Sequence, residues 1–349
     1  MLRIGVVIPA FNVGGYIYDC LRSCVYDDAD ENVTIHVTND GSSDNTQDEI
    51  DRFCKDYPSV SIRVFQTDRV GPGSARNVAL DNLNSKYLIF VDGDDLISRD
   101  NLSVILDKMD ASGADICCPN IVAFDDAGKF KFDFDRPAIR DRILSHRSAY
   151  LTNSRDNAEI LGLETSMCMR IFRKSFYDSC GLEFSNVRFC EDVLPSRKAL
   201  LLASKILVVS DDYYFYRLNR ISQRTSSADE TTMDLASVIS DTMSFALDHI
   251  VDNEQGGWTL NRLSEAAVWG ASLISPKLLQ EYASRITDAL EKAPMGWWSA
   301  FEGIHDVAHR QKAFAPLYLK RRSRVSKERI IYSGRYRFVD RIALNMAGA

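Results

Sequence analysis

Through its first 123 residues the chain alternates short aliphatic, β-branched runs with longer segments whose apolar positions recur every three or four residues. The short runs predict strands over Arg3 to Ile8, Val33 to Asn39, Ser61 to Thr67, Tyr87 to Val91 and Asp115 to Pro119. The segments between them, such as Tyr16 to Tyr26 and Asp44 to Tyr57, carry helical spacing. Alternation of this kind implies an α/β fold with a mainly parallel sheet and helices on both faces. Ligands of such folds bind beyond the carboxyl ends of the strands.

Further along, Phe124 to Phe134 alternates polar and aromatic residues around an Asp-Asp-Ala-Gly turn, which predicts a hairpin at the sheet edge. Residues 142 to 185 read as mostly helical. A helix is expected from about Asp192 to Ala203, with Pro195 tolerated in its first turn. A strand over Lys205 to Ser210 and the aromatic run Tyr213 to Arg217 come next. From about 229 the spacing is helical to the end, after a polar joint at Ser222 to Asp229. The expected division is therefore 1–225 for the α/β part and 226–349 for a helical C-terminal region.

The unusual residues fall at the ends of the predicted strands. Pro9-Ala10-Phe11-Asn12 follows the first, Asp40-Gly41-Ser42-Ser43-Asp44 the second, Gly71 to Asn77 the third, and Asp92-Gly93-Asp94-Asp95 the fourth. Taken singly these are ordinary: Asp and Gly form turns, Ser43 or Asp44 can start a helix, and Arg76 reads as a solvated residue. On one rim they converge. Clustered carboxylates closing a buried strand repel one another unless solvated or given a cation, and oxygen-only ligation suits Mg²⁺ or Mn²⁺, which commonly also hold substrate phosphates.

A diphosphate-bearing nucleotide would use that rim well. A metal at Asp94 would neutralise charge on a leaving diphosphate, and Asp92 can bond a ribose or sugar hydroxyl. Asp40 can accept from the edge of a base, and Arg76 can reach the base or a phosphate. A base to deprotonate an acceptor hydroxyl is available at Glu191-Asp192. Acids also favour helix N-termini for capping alone, and the helix field lowers a carboxylate's pKa, so a base there must owe its strength to other surroundings.

Composition narrows the setting. The 349 residues are 45% hydrophobic and 26% charged, as in soluble globular proteins. No apolar stretch approaches the roughly 20 residues of a membrane span, and the opening MLRIGVVIPAF lacks a signal-peptide cleavage pattern, so a cytoplasmic protein is expected. Eight scattered cysteines without metal spacing are expected to be reduced. Within the net charge of -7, Arg310 to Arg341 holds eleven Lys or Arg against Glu328 and Asp340, so the rest of the chain is strongly acidic. A basic end suggests an anionic partner.

Six segments, VVIPAFN, NDGSSDNT, GPGSARNVAL, YLIFVDGDD, FCEDV and YYFYRLNRIS, resemble, in order, the family 2 inverting glycosyltransferases of the bacterial polysaccharide type, over roughly residues 2 to 225. The resemblance implies the GT-A fold, a Rossmann-like mixed sheet flanked by helices, here with a C-terminal helical extension. It implies transfer of a hexosyl or N-acetylhexosaminyl group from a nucleotide sugar, usually a UDP-sugar, to a hydroxyl of a saccharide or lipid-linked saccharide, with inversion. By the same resemblance Pro9 and Phe11 line the uracil pocket and Asp40 binds the base. Arg76 contacts the nucleotide, Asp92 and Asp94 form the DxD motif with Asp94 on Mn²⁺ or Mg²⁺, and Asp192 is the base, with Glu191 in reserve. In the segment Met169 to Phe176, Arg170 stands where relatives have lysine.

The basic C-terminal stretch, with Tyr318, Leu319, Ile330, Ile331, Tyr332, Tyr336 and Phe338 interleaved, fits peripheral contact with an anionic inner membrane face; a charged face packing on the core or on a second subunit is the plainer alternative. No nucleic-acid partner is expected. A dehydrogenase is excluded because Gly71-Pro72-Gly73 follows the third strand rather than the first. The competing reading is a non-catalytic module that binds nucleotide sugars or polyanions.

Overall fold

Every residue of Val33–Asn39 is buried, and this strand has a parallel neighbour on each side. The computed structural model describes residues 2–26, 32–125, 131–218 and 230–304. Its first elements are β1 (Leu2–Ala10), α1 (Ile17–Ser23), β2 (Val33–Asn39), α2 (Thr46–Asp56), β3 (Ser61–Gln66), α3 (Pro72–Leu80) and β4 (Ser85–Phe90). Next come β5 (Leu96–Ile97), α4 (Arg99–Ser112), β6 (Ile116–Phe124), β7 (Lys131–Asp133), α5 (Pro137–Leu144) and β8 (Ala149–Thr152). They are followed by β9 (Ile171–Arg173), α6 (Lys174–Ser179), α7 (Val193–Leu202) and β10 (Ile206–Arg217).

The sheet runs β3-β2-β1-β4-β9-β6-β10-β5, with β7 on β6 and β8 on β10. β1 to β4 are mutually parallel, and β10 is parallel to β6. The C-terminal ends of β1, β2, β3 and β4 therefore share one rim, as the sequence requires. Ladder bonds run up to it: Asp40 N–H donates to the Ala10 carbonyl at 2.8 Å and Val91 N–H to that of Val7 at 3.0 Å.

Helix ends follow local chemistry. The Ser98 hydroxyl accepts from Asn101 N–H at the start of α4, and Gly113 ends that helix at φ 67°, where a side chain would be strained. In α2 the buried Thr46, Ile50 and Phe53 lie three or four residues apart on one face.

Residues 142 to 185 depart from the helical expectation. Only α6 and the end of α5 are α-helical there; the rest is β8, a 3₁₀ turn at Ala158–Gly162, β9 and connecting loop. β9 is antiparallel to both β4 and β6, and its Ile171 and Phe172 are fully buried between them. A three-residue apolar run has no period that separates strand from helix, so two distant strand edges decide it. The expected hairpin pairs Phe124 with Lys131, its tip lying outside the described residues, and β7 takes the side of β6 that β9 uses further back rather than the outer edge. β10 continues from the expected strand straight through the aromatic run.

The chain divides into two compact units, Met1–Ile221 and Ser222–Ala349. In the second, α8 (Asp234–His249), α9 (Asn253–Leu273), α10 (Leu279–Leu290) and α11 (Met295–Gly303) form a helical bundle. α9 and α11 touch closely because a Cβ on Gly256 would stand 2.1 Å from Trp297 Cγ. The basic stretch from Arg310 and the polar joint Ser222 to Asp229 lie outside the described residues. Among the described residues no helix is long and apolar enough to cross a membrane, and all eight cysteines are free thiols.

Candidate active site

Two clusters occupy the rim. The first gathers the loops after β1, β2 and β3. Phe11 is exposed, with the Arg69 guanidinium 4.6 Å from its ring centre, and Pro9 is half-buried at the end of β1. Asp40 is buried at 5% exposure and holds the loop into α3: Oδ1 accepts from the Thr67 hydroxyl at 2.8 Å and Val70 N–H at 2.7 Å, and Oδ2 from Gly71 N–H at 2.9 Å. A carboxylate offers about four acceptor positions, so among the described residues one on Oδ2 stays open. Asn12 at φ 51° and Arg69 at φ 53° take left-handed backbone in these loops.

The second cluster centres on Arg76, which is only 4% exposed rather than solvated. Nη2 pairs with Asp92 Oδ1 and Nη1 with Glu191 Oε1, each at 2.5 Å, and the guanidinium carbon lies 5.0 Å from the Phe184 ring centre. One buried cation thus ties the end of β4 to the turn before α7. Gly73 permits the approach, since a Cβ there would meet Ser185 O at 2.6 Å and Glu191 Cγ at 2.8 Å.

The four residues closing β4 have separate roles. The Asp92 side chain is 36% exposed and also accepts from Cys168 Sγ at 3.4 Å. Asp94 is half-buried, its carbonyl accepting from Arg217 Nε at 2.7 Å. Asp95 is buried, Oδ2 accepting from the Tyr214 hydroxyl and Oδ1 from Arg217 N–H, both at 2.7 Å. Burial, then the charges of Asp94 and Asp92, push its carboxyl well above the usual range. Asp95 is therefore a support of the turn.

Asp192 precedes α7 yet makes no side-chain capping bond. It is half-buried, and Met167 N–H donates to its Oδ2 at 3.3 Å. Burial, then the charge of Glu191, raises its pKa to about 7; Arg76 opposes, Asp92 adds, and a hydrogen bond from Ser166 opposes. Glu191 is committed to Arg76, whereas Asp192 next to it holds a proton affinity suited to a general base.

Of the eight residues the sequence singles out, Arg76, Asp92, Glu191 and Asp192 meet in one cluster. Pro9, Phe11 and Asp40 form the other. Gly93 links them, because a Cβ on it would lie 3.2 Å from the Pro9 carbonyl. Sequence reasoning missed Cys168, Ser166 and Met167, which lie on a loop without a motif; Tyr214 and Arg217 were visible as an aromatic run and as part of the family segment YYFYRLNRIS, with no role at the site assigned to either. Among the described residues no three His, Cys, Asp or Glu converge to hold a metal by themselves. The donor set still fits Mg²⁺ or Mn²⁺, which need only one or two protein carboxylates when substrate phosphates complete the shell.

The description "Glycosyl transferase family 2" matches residues 5–180. Over 225 residues, 62% of this chain and 31% of the relative, the sequence is 26% identical to glycosyltransferase GlyA of Streptococcus pneumoniae serotype 4. Over 230 residues, 65% of this chain, it is 26% identical to the poly(ribitol-phosphate) beta-N-acetylglucosaminyltransferase TarS of Staphylococcus aureus, of which it spans 38%. The chain thus spans about a third of the length of either. The crystal structure of TarS residues 1–349 in complex with UDP-GlcNAc superposes with a TM-score of 0.71 at 20% identity, covering 96% of this chain and 95% of that one. A mannosyltransferase of Pyrobaculum calidifontis, in complex with GDP-Man and Mn²⁺, superposes at 0.52 with 12% identity over 99% of this chain and 87% of its own. The shared arrangement is the GT-A fold, a mixed sheet with flanking helices, followed by C-terminal helices.

Proposed function

Because the chain belongs to glycosyl transferase family 2, we propose that it moves a sugar from a nucleotide sugar, of the UDP type, to a hydroxyl of a saccharide or lipid-linked saccharide, with inversion. The observation that carries this reading is Arg76 bridging Asp92 and Glu191, which leaves Asp192 beside them with its pKa raised to about 7.

Phe11 and the open acceptor position of Asp40 receive the base, with Pro9 beside them. Asp92 accepts from a ribose or sugar hydroxyl while Arg76 holds its other flank. A divalent metal on Asp94 would supply charge neutralisation on the diphosphate. Asp192 takes the acceptor's hydroxyl proton as that oxygen bonds the anomeric carbon from the face opposite the nucleoside diphosphate, whose bond to the same carbon breaks. The proton then passes from Asp192 to solvent. A raised pKa matters here, because a base titrating near neutrality combines available unprotonated form with driving force.

TarS, seen with UDP-GlcNAc, supports a UDP-sugar, and the Mn²⁺ in the mannosyltransferase complex supports a metal. A panel of nucleotide sugars with Mn²⁺ tests the reading, scored for binding and slow hydrolysis on wild type, Asp94→Ala and Asp192→Ala. Asp94→Ala loses metal-dependent nucleotide binding, as does chelation by EDTA, whereas Asp192→Ala binds but does not transfer. Unchanged turnover in either variant overturns its assignment, and binding without turnover in wild type leaves a non-catalytic module.

For the basic stretch Arg310 to Arg341 we propose peripheral contact with an anionic membrane face, the cytoplasmic side being the setting. Pelleting with anionic liposomes at low salt, reversed by high salt, is the expected result; no pelleting at low salt removes the idea.

A further inference from the structure

The loop from Glu164 to Arg170 lies between two carboxylates carried by different elements. On one side the Ser166 hydroxyl hydrogen-bonds Asp192, and Met167 N–H donates to Asp192 Oδ2 at 3.3 Å. On the other, Cys168 Sγ donates to Asp92 Oδ1 at 3.4 Å. Three consecutive residues thus touch both the base and the donor-side acid.

The loop is closed from behind by a buried charge cluster. Arg170, 1% exposed, donates from Nη2 to the Glu164 carbonyl at 2.7 Å and from Nη1 to the Met169 carbonyl at 2.7 Å, so its fork grips both ends of the loop. Nη1 also pairs with Asp135 at 3.1 Å, and Asp135 accepts Glu164 N–H at 2.8 Å through its other oxygen. Arg140 reaches the same carboxylate at 3.5 Å. An ammonium on a flexible stem cannot reproduce this planar, multi-donor grip. Burying three such charges is costly, and the loop they hold has no strand or helix of its own over 164–170.

We propose that Arg170 is a positioning residue for transfer: by clamping the 164–170 loop onto Asp135 it holds Ser166 and Met167 against Asp192 and Cys168 against Asp92, so that one loop aligns base and donor acid. This rests on Asp192 being the base. The groups that face Asp192 include Glu191, Arg76, Asp92, Cys168 and Ser166. Lysine at 170 keeps the charge but loses the grip, so its effects report geometry rather than net charge. The Ser166 and Met167 bonds favour the ionised carboxylate, so losing them while Asp192 stays buried moves it upward.

The test compares R170K, S166A and D192N with wild type in the full chain, using UDP-GlcNAc with Mn²⁺ as donor probe. The readouts are kcat and KM for its hydrolysis, the pH–rate profile, and the ¹³C-carboxyl titration of Asp192, assigned by its loss in D192N. R170K is expected to keep KM within about twofold while kcat falls on the order of tenfold, the size of a modest misplacement. Both its acid limb and the Asp192 midpoint move to higher pH, and S166A shifts them in the same direction. A wild-type midpoint in R170K overturns the proposal, including the case where R170K only melts earlier, which is the signature of a merely structural role. Full activity in D192N instead refutes Asp192 as base, and the midpoint in R170K then still decides whether Arg170 sets that carboxylate.

Discussion

Tyr214 donates its hydroxyl hydrogen to Asp95 Oδ2 at 2.7 Å, and the Tyr214 hydroxyl oxygen accepts Asp92 N–H at 3.1 Å. One phenol on β10 therefore braces both ends of the Asp92 to Asp95 turn. Tyr214→Phe leaves a buried carboxyl and a backbone N–H short of a partner, at a cost of about 1–3 kcal/mol. Thermal melting is expected to show that loss, and titration with UDP-GlcNAc and Mn²⁺ a weaker affinity, since the turn carries Asp94.

With Asp192 as the proposed base, its titration is expected to set the pH dependence of turnover. Its pKa is raised to about 7, and a base works only unprotonated, so kcat is expected to fall as pH drops below about 7 and to level off above it. Asp192→Asn removes that limb and lowers kcat by roughly 10²–10⁴-fold, the usual worth of a positioned base. A pH–rate series on both proteins checks it; a wild-type acid limb retained in the variant rejects Asp192.

Removing Arg76 strands two acids. Arg76→Met leaves Asp92 and the buried Glu191 without their shared cation, which costs about 3–5 kcal/mol for broken buried pairs. Urea denaturation is expected to show a lowered midpoint. Arg76→Lys keeps the charge without the two-pronged geometry, folds more stably than Arg76→Met and still loses turnover.

Asp44 provides a stability change with a defined pH window. Burial works to raise its pKa, but hydrogen bonds from Thr46 and Gly14 outweigh burial and hold it below the ordinary value. Because the folded value lies below the unfolded one, this stabilisation is complete above the unfolded pKa of about 4 and fades as pH falls through the folded value. The side chain is exposed, so screening keeps the effect under about 1 kcal/mol. Asp44→Asn should melt below wild type at neutral pH and converge with it in acid.

The strands of the rim, the turn at Asp92 to Asp95 and the acids before α7 were legible because each is a local pattern: an apolar run with its period, a Gly-Asp turn, a helix start. The same local reading failed across 142 to 185. There Ile171 and Phe172 become strand only because the edges of β4 and β6 stand ready to pair with them. Arg170 could be marked as departing from the family's lysine, but not as the grip on a loop.

Sequence by itself determined which residues are available to the site, their order, and the end of the sheet on which they gather, since parallel strands with polar C-termini leave one rim to share. Tertiary structure decided who meets whom. Arg76 reaches Glu191 across 115 positions and Tyr214 reaches Asp95 across 119, distances over which no periodicity carries information. It also decided which acid is which: Asp95 is sealed, Glu191 is paired, and Asp192 is raised toward neutrality, because desolvation and neighbouring charge belong to the assembled fold and not to the residue.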